Sequence, residues 1–526
     1  MALLQVAEIA TLICNFSGTS DCARLSRVSH LLFDVTVPFI WEHVDGAKNL
    51  IALLAPIYES PSAKKIILKE KASKPDAFSR FDFYAPHVKS LDVYGHKKSS
   101  LSIDGWPVLI SRAQQRPLLP NLEKLIIKAG NHPDGANQPF WMAAFASPTL
   151  TVLSIHPPTY SPLSPIIPHR AAAFIMHFLM RSRPKLKRLD LFPSREADKH
   201  IGDGGTILRP YLSGKTLEFY QYLAGSTTLT HLSGTFAWFE KKVVLILARL
   251  PNLESISIYL DEDDTGPYVD LNSLLSDDSF PALRELTLDR AHIFQALRVM
   301  RAERLVGRLT TLRLGIEDET FGFNNIYGVW ETEDYRFQDL FAKVTRLNHL
   351  EVTVYEPDVL LPFDQHILWQ LLELPIQTMK LHGIRLDDVE LVTEEIDVAW
   401  PNLIDLRIPD YPVTLYDTSD FAQMSGLRFL EVQLDLRNPK EWTLFRELQP
   451  IKSLEVIKSS AGGHMCSTAE EMDFVARTLL EHWPELKRIE WDTTDVATIE
   501  RARQLNDQIK LVRKANTSLG SGSQQA

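Results

Sequence analysis

The chain has 526 residues, 45% of them hydrophobic and 23% charged, with a formal charge of −11. It can bury an ample core, and its acidic balance without a basic stripe excludes a surface built to neutralise duplex phosphates. Three cysteines, Cys14, Cys22 and Cys466, are too few and wrongly spaced for a disulfide framework or a zinc site. No apolar run reaches the ~18 residues of a membrane span. The apolar start lacks a basic region and carries Glu8, so it does not read as a signal peptide, and a reducing compartment, cytoplasmic or nuclear, is expected.

The first fifty residues read as helical. Val6, Ile9 and Ile13 recur at spacings of 3 and 4, which places them on one helix face. A second segment runs from Asp21 to Ser29 and a third from Pro38 through Trp41 to Val44. Beyond residue 50 the phrase Pro-x-Leu-x-x-Leu/Ile occurs seven times, with its last apolar residue at Leu125, Leu153, Leu189, Ile256, Leu286, Leu406 and Ile489. Most copies continue with alternating apolar residues, as in Leu189-Asp190-Leu191, the period-2 sign of a short strand. Copies without the proline centre on Leu91, Leu232, Leu312, Leu350, Met379, Leu430 and Leu454, and an earlier one is read at Ile66-Ile67-Leu68. From Leu91 to Ile489 the mean spacing is about 31 residues.

Helical patterns precede several phrases: Ala171–Arg183, Phe239–Leu250, Gln338–Leu347, Asp364–Leu374 and Glu470–Trp483. Proline cannot continue the helix and pushes the residue before it toward extended geometry, so it ends the helix and starts the strand. A unit with one apolar helix face and one apolar strand face cannot bury both alone, so successive units must stack. The expected fold is α/β: a leucine-rich-repeat solenoid, horseshoe-like, over 51–514, preceded by a small all-α unit at 1–50. A last helix is expected over Thr498–Lys514, and a Ser-, Gly- and Gln-rich tail at 515–526 is expected to be disordered. The match to leucine-rich repeats covers the Leu-x-x-Leu-x-Leu core; the Asn or Cys that follows the strand in such repeats is missing from nearly every copy.

The first fifty residues resemble the F-box. Asp21, Leu25, Val28, Ser29 and Trp41-Glu42 stand where that pattern has them, whereas its opening Leu-Pro pair is replaced by Val6-Ala7. The resemblance implies a substrate-recruiting subunit of an SCF-type ubiquitin ligase: the helices dock a SKP-family adaptor of a cullin ubiquitin ligase, and the repeats hold a client protein. It implies Val6, Ile9, Ile13, Leu25, Val28, Phe39, Ile40 and Trp41 as adaptor-facing. The same residues could form only a cap that seals the open end of the array, leaving a non-catalytic repeat scaffold.

Residues between strand leucines point to the other face of the sheet. Three positions after each centre this column reads Tyr94, Lys128, His156, Phe192, Thr235 and Tyr259. One position after, the later copies read Arg313, Lys380 and Arg407, then Glu431, Glu455 and Glu490, a basic band beside an acidic one. Aromatics and arginines are what protein-binding hot spots favour, which makes Tyr94, Lys128, His156, Phe192, Tyr259, Arg313 and Arg407 the client-binding candidates; a solvated strand face is the other reading. Catalytic signatures fail. Gly214-Lys215-Thr216 lacks the first glycine of a P-loop, where Arg209 stands. No paired histidines fall at metal-binding helical spacing, and no Gly-x-Ser-x-Gly elbow occurs. No enzyme, cofactor, metal, nucleic-acid or membrane role is expected.

Overall fold

A computed structural model describes residues 7–54, 57–59, 64–68, 75–95, 101–128, 138–156, 167–194, 219–259, 270–317, 339–355, 360–386, 400–421, 424–437, 453–460 and 462–522. The chain divides into two compact units. The first holds Met1–Val269 with Phe280–Ala282, and the second Asp270–Ser279 with Leu283–Ala526.

The first unit opens with three helices, α1 (Ala7–Phe16), α2 (Thr19–Leu25) and α3 (His30–Trp41). Ser29 starts α3 by accepting a hydrogen bond from the Leu32 amide, the usual work of a serine N-cap. Strands β1 (His43–Asp45), β2 (Ser90–Asp92), β3 (Lys124–Lys128), β4 (Val152–His156), β5 (Arg188–Asp190), β6 (His231–Thr235) and β7 (Ser255–Tyr259) then lie side by side in sequence order, all parallel. Their register aligns one row: Val44, Leu91, Leu125, Leu153, Leu189, Leu232 and Ile256.

The second unit repeats the plan with β8 (Glu285–Ala291), β9 (Thr311–Ile316), β10 (His349–Val354), β11 (Thr378–His382), β12 (Asp405–Thr414), β13 (Phe429–Asp435), β14 (Val456–Ser459) and β15 (Arg488–Trp491). Here the row is Leu286, Leu312, Leu350, Met379, Leu406, Leu430, Ile457 and Ile489. Every residue of both rows is buried, and each buried leucine contributes about 1.5–3 kcal/mol of hydrophobic stabilisation. The fold is therefore mixed α/β on parallel sheet, as the Leu-x-x-Leu-x-Leu pattern requires.

Strand starts are locked by a recurring backbone device. The carbonyl of one repeat accepts two amides from the next: Glu123 from Thr151 and Val152, Thr151 from Lys187 and Arg188, Thr310 from Asn348 and His349, Arg428 from Glu455 and Val456. Parallel strands need connections long enough to return the chain to the same edge, and helices supply several of them. Those followed below are α4 (Ser79–Tyr84), α5 (Trp106–Gln115), α6 (Gln138–Phe145), α7 (His169–Ser182), α8 (Lys241–Leu247), α9 (Ile293–Met300), α10 (Gln365–Leu372), α11 (Ala469–His482) and α12 (Val496–Gly522). Trp106 of α5 meets Trp141 of α6 edge-on at 4.7 Å, and Trp141 stacks on Phe145 at 5.7 Å, filling the space behind the strands. Reciprocal capping boxes start α9 (His292 with Gln295) and α11 (Thr468 with Glu471), and Asp364 caps α10.

Several expectations need correction. Val44 heads the first row inside the segment read as a third helix, because α3 ends at Trp41 and β1 follows at once; the parallel sheet thus begins before residue 50. Lys64–Ile67 belongs to a side sheet with Ile57–Glu59 and Leu101–Asp104, so it is not an earlier copy of the main repeat. The register of β14 places Ile457, not Leu454, in the row. Residues 339–347 form turns instead of the helix expected over Gln338–Leu347.

The prolines act differently in two copies: Arg183 and Phe280, which precede Pro184 and Pro281, have φ of 49° and 52°. There the chain leaves by a left-handed turn of the sort that closes helices, not by extended geometry. α12 continues to Gly522, beyond the point at 515 where disorder is expected, because propagating an established helix costs far less than starting one.

Candidate interaction surfaces

Helix α1 is amphipathic in reverse. Its buried residues are the small Ala10 and Cys14, while the large Leu12, Ile13 and Phe16 are exposed, Phe16 at 90%. A helix in a monomer turns its large apolar residues inward; one that turns them out marks a contact surface. Val28 and Leu31, at the turn into α3 and in its first turn, add exposed apolar area on the same three-helix unit. Behind α1, Cys14 faces Cys22 of α2, whose thiol approaches the Cys14 carbonyl at 3.9 Å. Burial, and secondarily Cys22, pushes the Cys14 thiol up to about 11, so the Cys14 sulfur serves as a small core group and not as a nucleophile.

Of the adaptor-facing set, Ile13 and Val28 are exposed, and Ile9, Leu25, Phe39, Ile40 and Trp41 are half-buried. Val6 lies outside the described residues. Trp41 is turned inward: it stacks on Tyr84 of α4 at 4.6 Å, and beside it Phe33 stacks on Phe83 at 6.1 Å. Its position in the F-box pattern is thus used here for a seam between α3 and α4. Sequence reading missed Leu12, Phe16 and Leu31; the signal available was the i, i+4 spacing of Leu12 and Phe16, which continues past the Ile9–Ile13 pair.

On the strand face of the first unit, Lys128 is exposed and Tyr259 half-buried. Tyr94 and Phe192 are buried, which corrects their reading as offered to a client, and Thr235 of the same column is buried too. β2 and β5 end one residue after their centres, so the alternation that would aim Tyr94 and Phe192 outward stops before it reaches them. Phe192 meets the Tyr259 ring edge-on at 6.5 Å. Thr235 donates its hydroxyl to the Pro193 carbonyl as β6 turns into the short helix Phe236–Phe239. His156 ends β4, and its side chain lies outside the described residues.

In the second unit the residues one position after the row form a ladder across adjacent strands: Arg313, Glu351, Lys380, Arg407, Glu431, Lys458 and Glu490. The signs alternate, with one break at Lys380–Arg407, and the two bands expected from the sequence are not there. Glu351 lies 3.7 Å from Arg313 and 3.8 Å from Lys380. Arg407 pairs with Asp405 at 2.9 Å, reaches Glu431 at 4.0 Å and stacks over the Phe429 ring at 4.5 Å. Lys458 joins Glu431 at 2.7 Å and Asp492 at 3.2 Å. Hydrogen bonds, to Asp405 and to Glu431 respectively, hold the Arg407 and Lys458 pKa values above their ordinary range. Glu455 stands outside the ladder and pairs with Lys487, which lowers its carboxyl pKa.

Beside the ladder is a clasp. Tyr355, just past β10, donates its hydroxyl to Asp289 of β8 at 2.5 Å, crossing Gly315 of β9; Arg290 sits 5.5 Å over the same ring and pairs with Glu317 at 2.8 Å. Burial and the Asp289 carboxylate push the Tyr355 phenol well above its ordinary value. Among the described residues no group of three or more His, Cys, Asp or Glu could hold a metal ion, and no helix is long and apolar enough to cross a membrane.

These features define a mixed α/β protein of stacked leucine-rich units with an exposed apolar helix at its start and a charged strand face in its second half. No family model and no curated protein matches the chain. Among solved structures it is similar to the crystal structure of a TLR13–ssRNA13 complex, at 12% identity over 79% of this chain and 47% of that one, with a TM-score of 0.35. It is also similar to the crystal structure of the Rad7 and Elc1 complex in yeast, at 14% identity over 60% of this chain and 78% of that one, with a TM-score of 0.23. The chain spans about half the length of the TLR13 chain. Likenesses at these scores carry no argument about what the chain does.

Proposed function

We propose that the protein is a non-catalytic substrate-recruiting subunit of an SCF-type ubiquitin ligase, working in the cytoplasm or nucleus, with α1–α3 as a divergent F-box and the horseshoe-like repeats as the client holder. The observation that carries this reading is the outward apolar face of α1, Leu12, Ile13 and Phe16, on the unit that carries the F-box-like pattern. Its mechanism is proximity: the adaptor grips the helices, the strand face grips the client, and the ubiquitin-transfer chemistry belongs to the partner enzymes. Burying Phe16 and Leu12 against an adaptor yields about 1.5–3 kcal/mol each, together enough for a factor of roughly 10² or more in affinity.

The test is co-purification of the full chain with a SKP-family adaptor. Wild type is expected to retain the adaptor, and the Leu12→Asp/Phe16→Asp double variant to lose it with unchanged circular dichroism, because neither side chain is part of the core. Failure of wild type to retain it, or equal retention by the variant, rejects the reading. Trp41→Ala is unsuited to this purpose, since it removes the stack on Tyr84. That stack favours the second reading, a repeat scaffold whose helices only seal the first strand, and such a scaffold retains no adaptor in the same experiment.

A further inference from the structure

The charge ladder is not something the fold needs. The corresponding positions of the first unit are Asp45, Asp92, Ile126, Ser154, Asp190, Ser233 and Ser257, and those strands pair in the same register without it. Lysine and glutamate are depleted in strands, so long charged residues on consecutive strands of the second unit are a local departure. Nor are the first three rungs of the ladder spent on stability. Its first rungs are 47% exposed at Arg313, 40% at Glu351 and 36% at Lys380, with contacts of 3.7 and 3.8 Å, and exposed pairs of this kind contribute about 0–1 kcal/mol. A partner can re-pair them at little cost.

Their spacing says what that partner is. Strands stand about 4.8 Å apart, so the rungs Arg313, Glu351, Lys380 and Arg407 fall at about 0, 5, 10 and 14 Å along a line across β9–β12. Helix positions i, i+3, i+7 and i+10 rise about 0, 4.5, 10.5 and 15 Å and share one face. An extended segment shows a side chain to one face every ~6.7 Å and falls out of step by the third rung. We infer that the second unit's strand face binds a client helix lying across β9–β12 and carrying acid, base, acid, acid at i, i+3, i+7 and i+10, in that order from Arg313 to Arg407. This deepens the client-holding part of the proposed function and uses none of the adaptor-facing residues. Phe429, held under Arg407, adds an apolar contact at the end of that line, where the net charge of the helix turns acidic.

The experiment uses the full chain and three fluorescein-labelled, alanine-based helical peptides of about 18 residues, roughly five turns. One carries Glu, Lys, Glu, Glu at the stated spacing, one carries the opposite signs, and one has the first peptide's composition at spacings of two. Anisotropy titrations are expected to give at least tenfold tighter binding for the first peptide, with affinity falling as salt rises. The triple variant Arg313→Glu/Glu351→Arg/Lys380→Glu keeps the internal pairing with signs exchanged, so it folds as wild type does. It is expected to transfer the preference to the sign-reversed peptide. Equal binding of all three peptides, or a triple variant with the wild-type preference, overturns the inference. So does a concentration-dependent dimer of the chain alone that the triple variant abolishes, which would give the face to a second copy. The Leu12→Asp/Phe16→Asp variant is expected to bind the first peptide as wild type does, so a failure of adaptor docking and a failure of this inference read out separately.

Discussion

Replacing Gly315 by alanine isolates the clasp over β9. A Cβ at this position would stand 2.8 Å from Asp289 Oδ1 and from Tyr355 Cε2, and 2.9 Å from the Tyr355 hydroxyl. All three atoms belong to side chains, so the backbone tolerates the change and the Tyr355–Asp289 bond does not. A hydrogen bond to a carboxylate is worth about 1.5–3 kcal/mol, and the Arg290 contact with the same ring about 0.5–1 kcal/mol more. Alanine in a strand regains roughly 0.5–1 kcal/mol of the entropy that glycine loses on folding. Gly315→Ala is therefore expected to destabilise by about 1–3 kcal/mol in urea unfolding followed by circular dichroism. With Tyr355→Ala already present the ring is gone and only the flexible Asp289 carboxylate remains, so the same substitution should become neutral or stabilising. That change of sign in a double-mutant cycle is the signature. If Gly315→Ala costs the same in both backgrounds, the clash lies with backbone and the clasp is not what the glycine protects.

Asn506 of α12 donates to the Ile489 carbonyl and accepts from the Ile489 amide, both at 2.8 Å, so a side-chain amide stands in for a neighbouring strand at β15. Asn506→Ala is expected to cost about 2 kcal/mol and to raise aggregation, measured by light scattering during mild heating, as the strand's edge groups open; unchanged scattering and stability would count against the edge-cover role. Burial lowers the His482 pKa in the folded chain. The unfolded state therefore binds more protons near and below its ordinary value of about 6.5, and stability present above that pH is lost as pH falls through the folded value. His482→Gln should flatten the decline in melting temperature between about pH 7 and 5; an unaltered slope would assign it to other groups. Trp41→Ala is expected to lower stability by about 1–3 kcal/mol, below the ~3–5 kcal/mol of a fully buried aromatic because the ring is half-buried, whereas Phe16→Asp leaves the melting temperature unchanged; the reverse order would show that Phe16 is the packed residue.

The repeat row was legible because each centre is a buried apolar residue at a fixed distance from another, three positions before it. That same regularity explains the misplaced centre at Leu454. Leu454 and Ile457 both satisfy the phrase, and only the proline says which comes first; the copy at 454 has none, so its register was read three residues early. Leu403 and Leu486, the first apolar residues of copies that do carry the proline, are buried as Leu454 is. Val44 escaped notice because Phe39, Ile40 and Trp41 lead into it with helical spacing. The strand face was less legible than the core. Whether position three after a centre faces out depends on whether the strand lasts that long, and Tyr94 and Phe192 sit beyond strands that end early. Arg313 and Arg407 stand one position after the row, but the acids that interleave with them came from neighbours 38 and 24 residues away in sequence, Glu351 and Glu431. No local pattern could pair them before the register was known.

The doubly accepting carbonyls at the strand starts have a consequence for how such a chain can vary. Because each strand is positioned by two amides meeting one oxygen of the strand before it, the frame is set where the strand begins and not by how much chain precedes it. The row residues Leu189 and Leu232 are 43 apart in sequence and Leu406 and Leu430 are 24 apart, a difference of 19, yet each strand reaches the row of its own unit. Lengthening a connection adds only a logarithmic closure cost, so residues can be gained or lost there without a change of register. Whole repeats should be separable units of inheritance and of engineering, cut and rejoined at those carbonyls with the ladder, or another face, carried along intact.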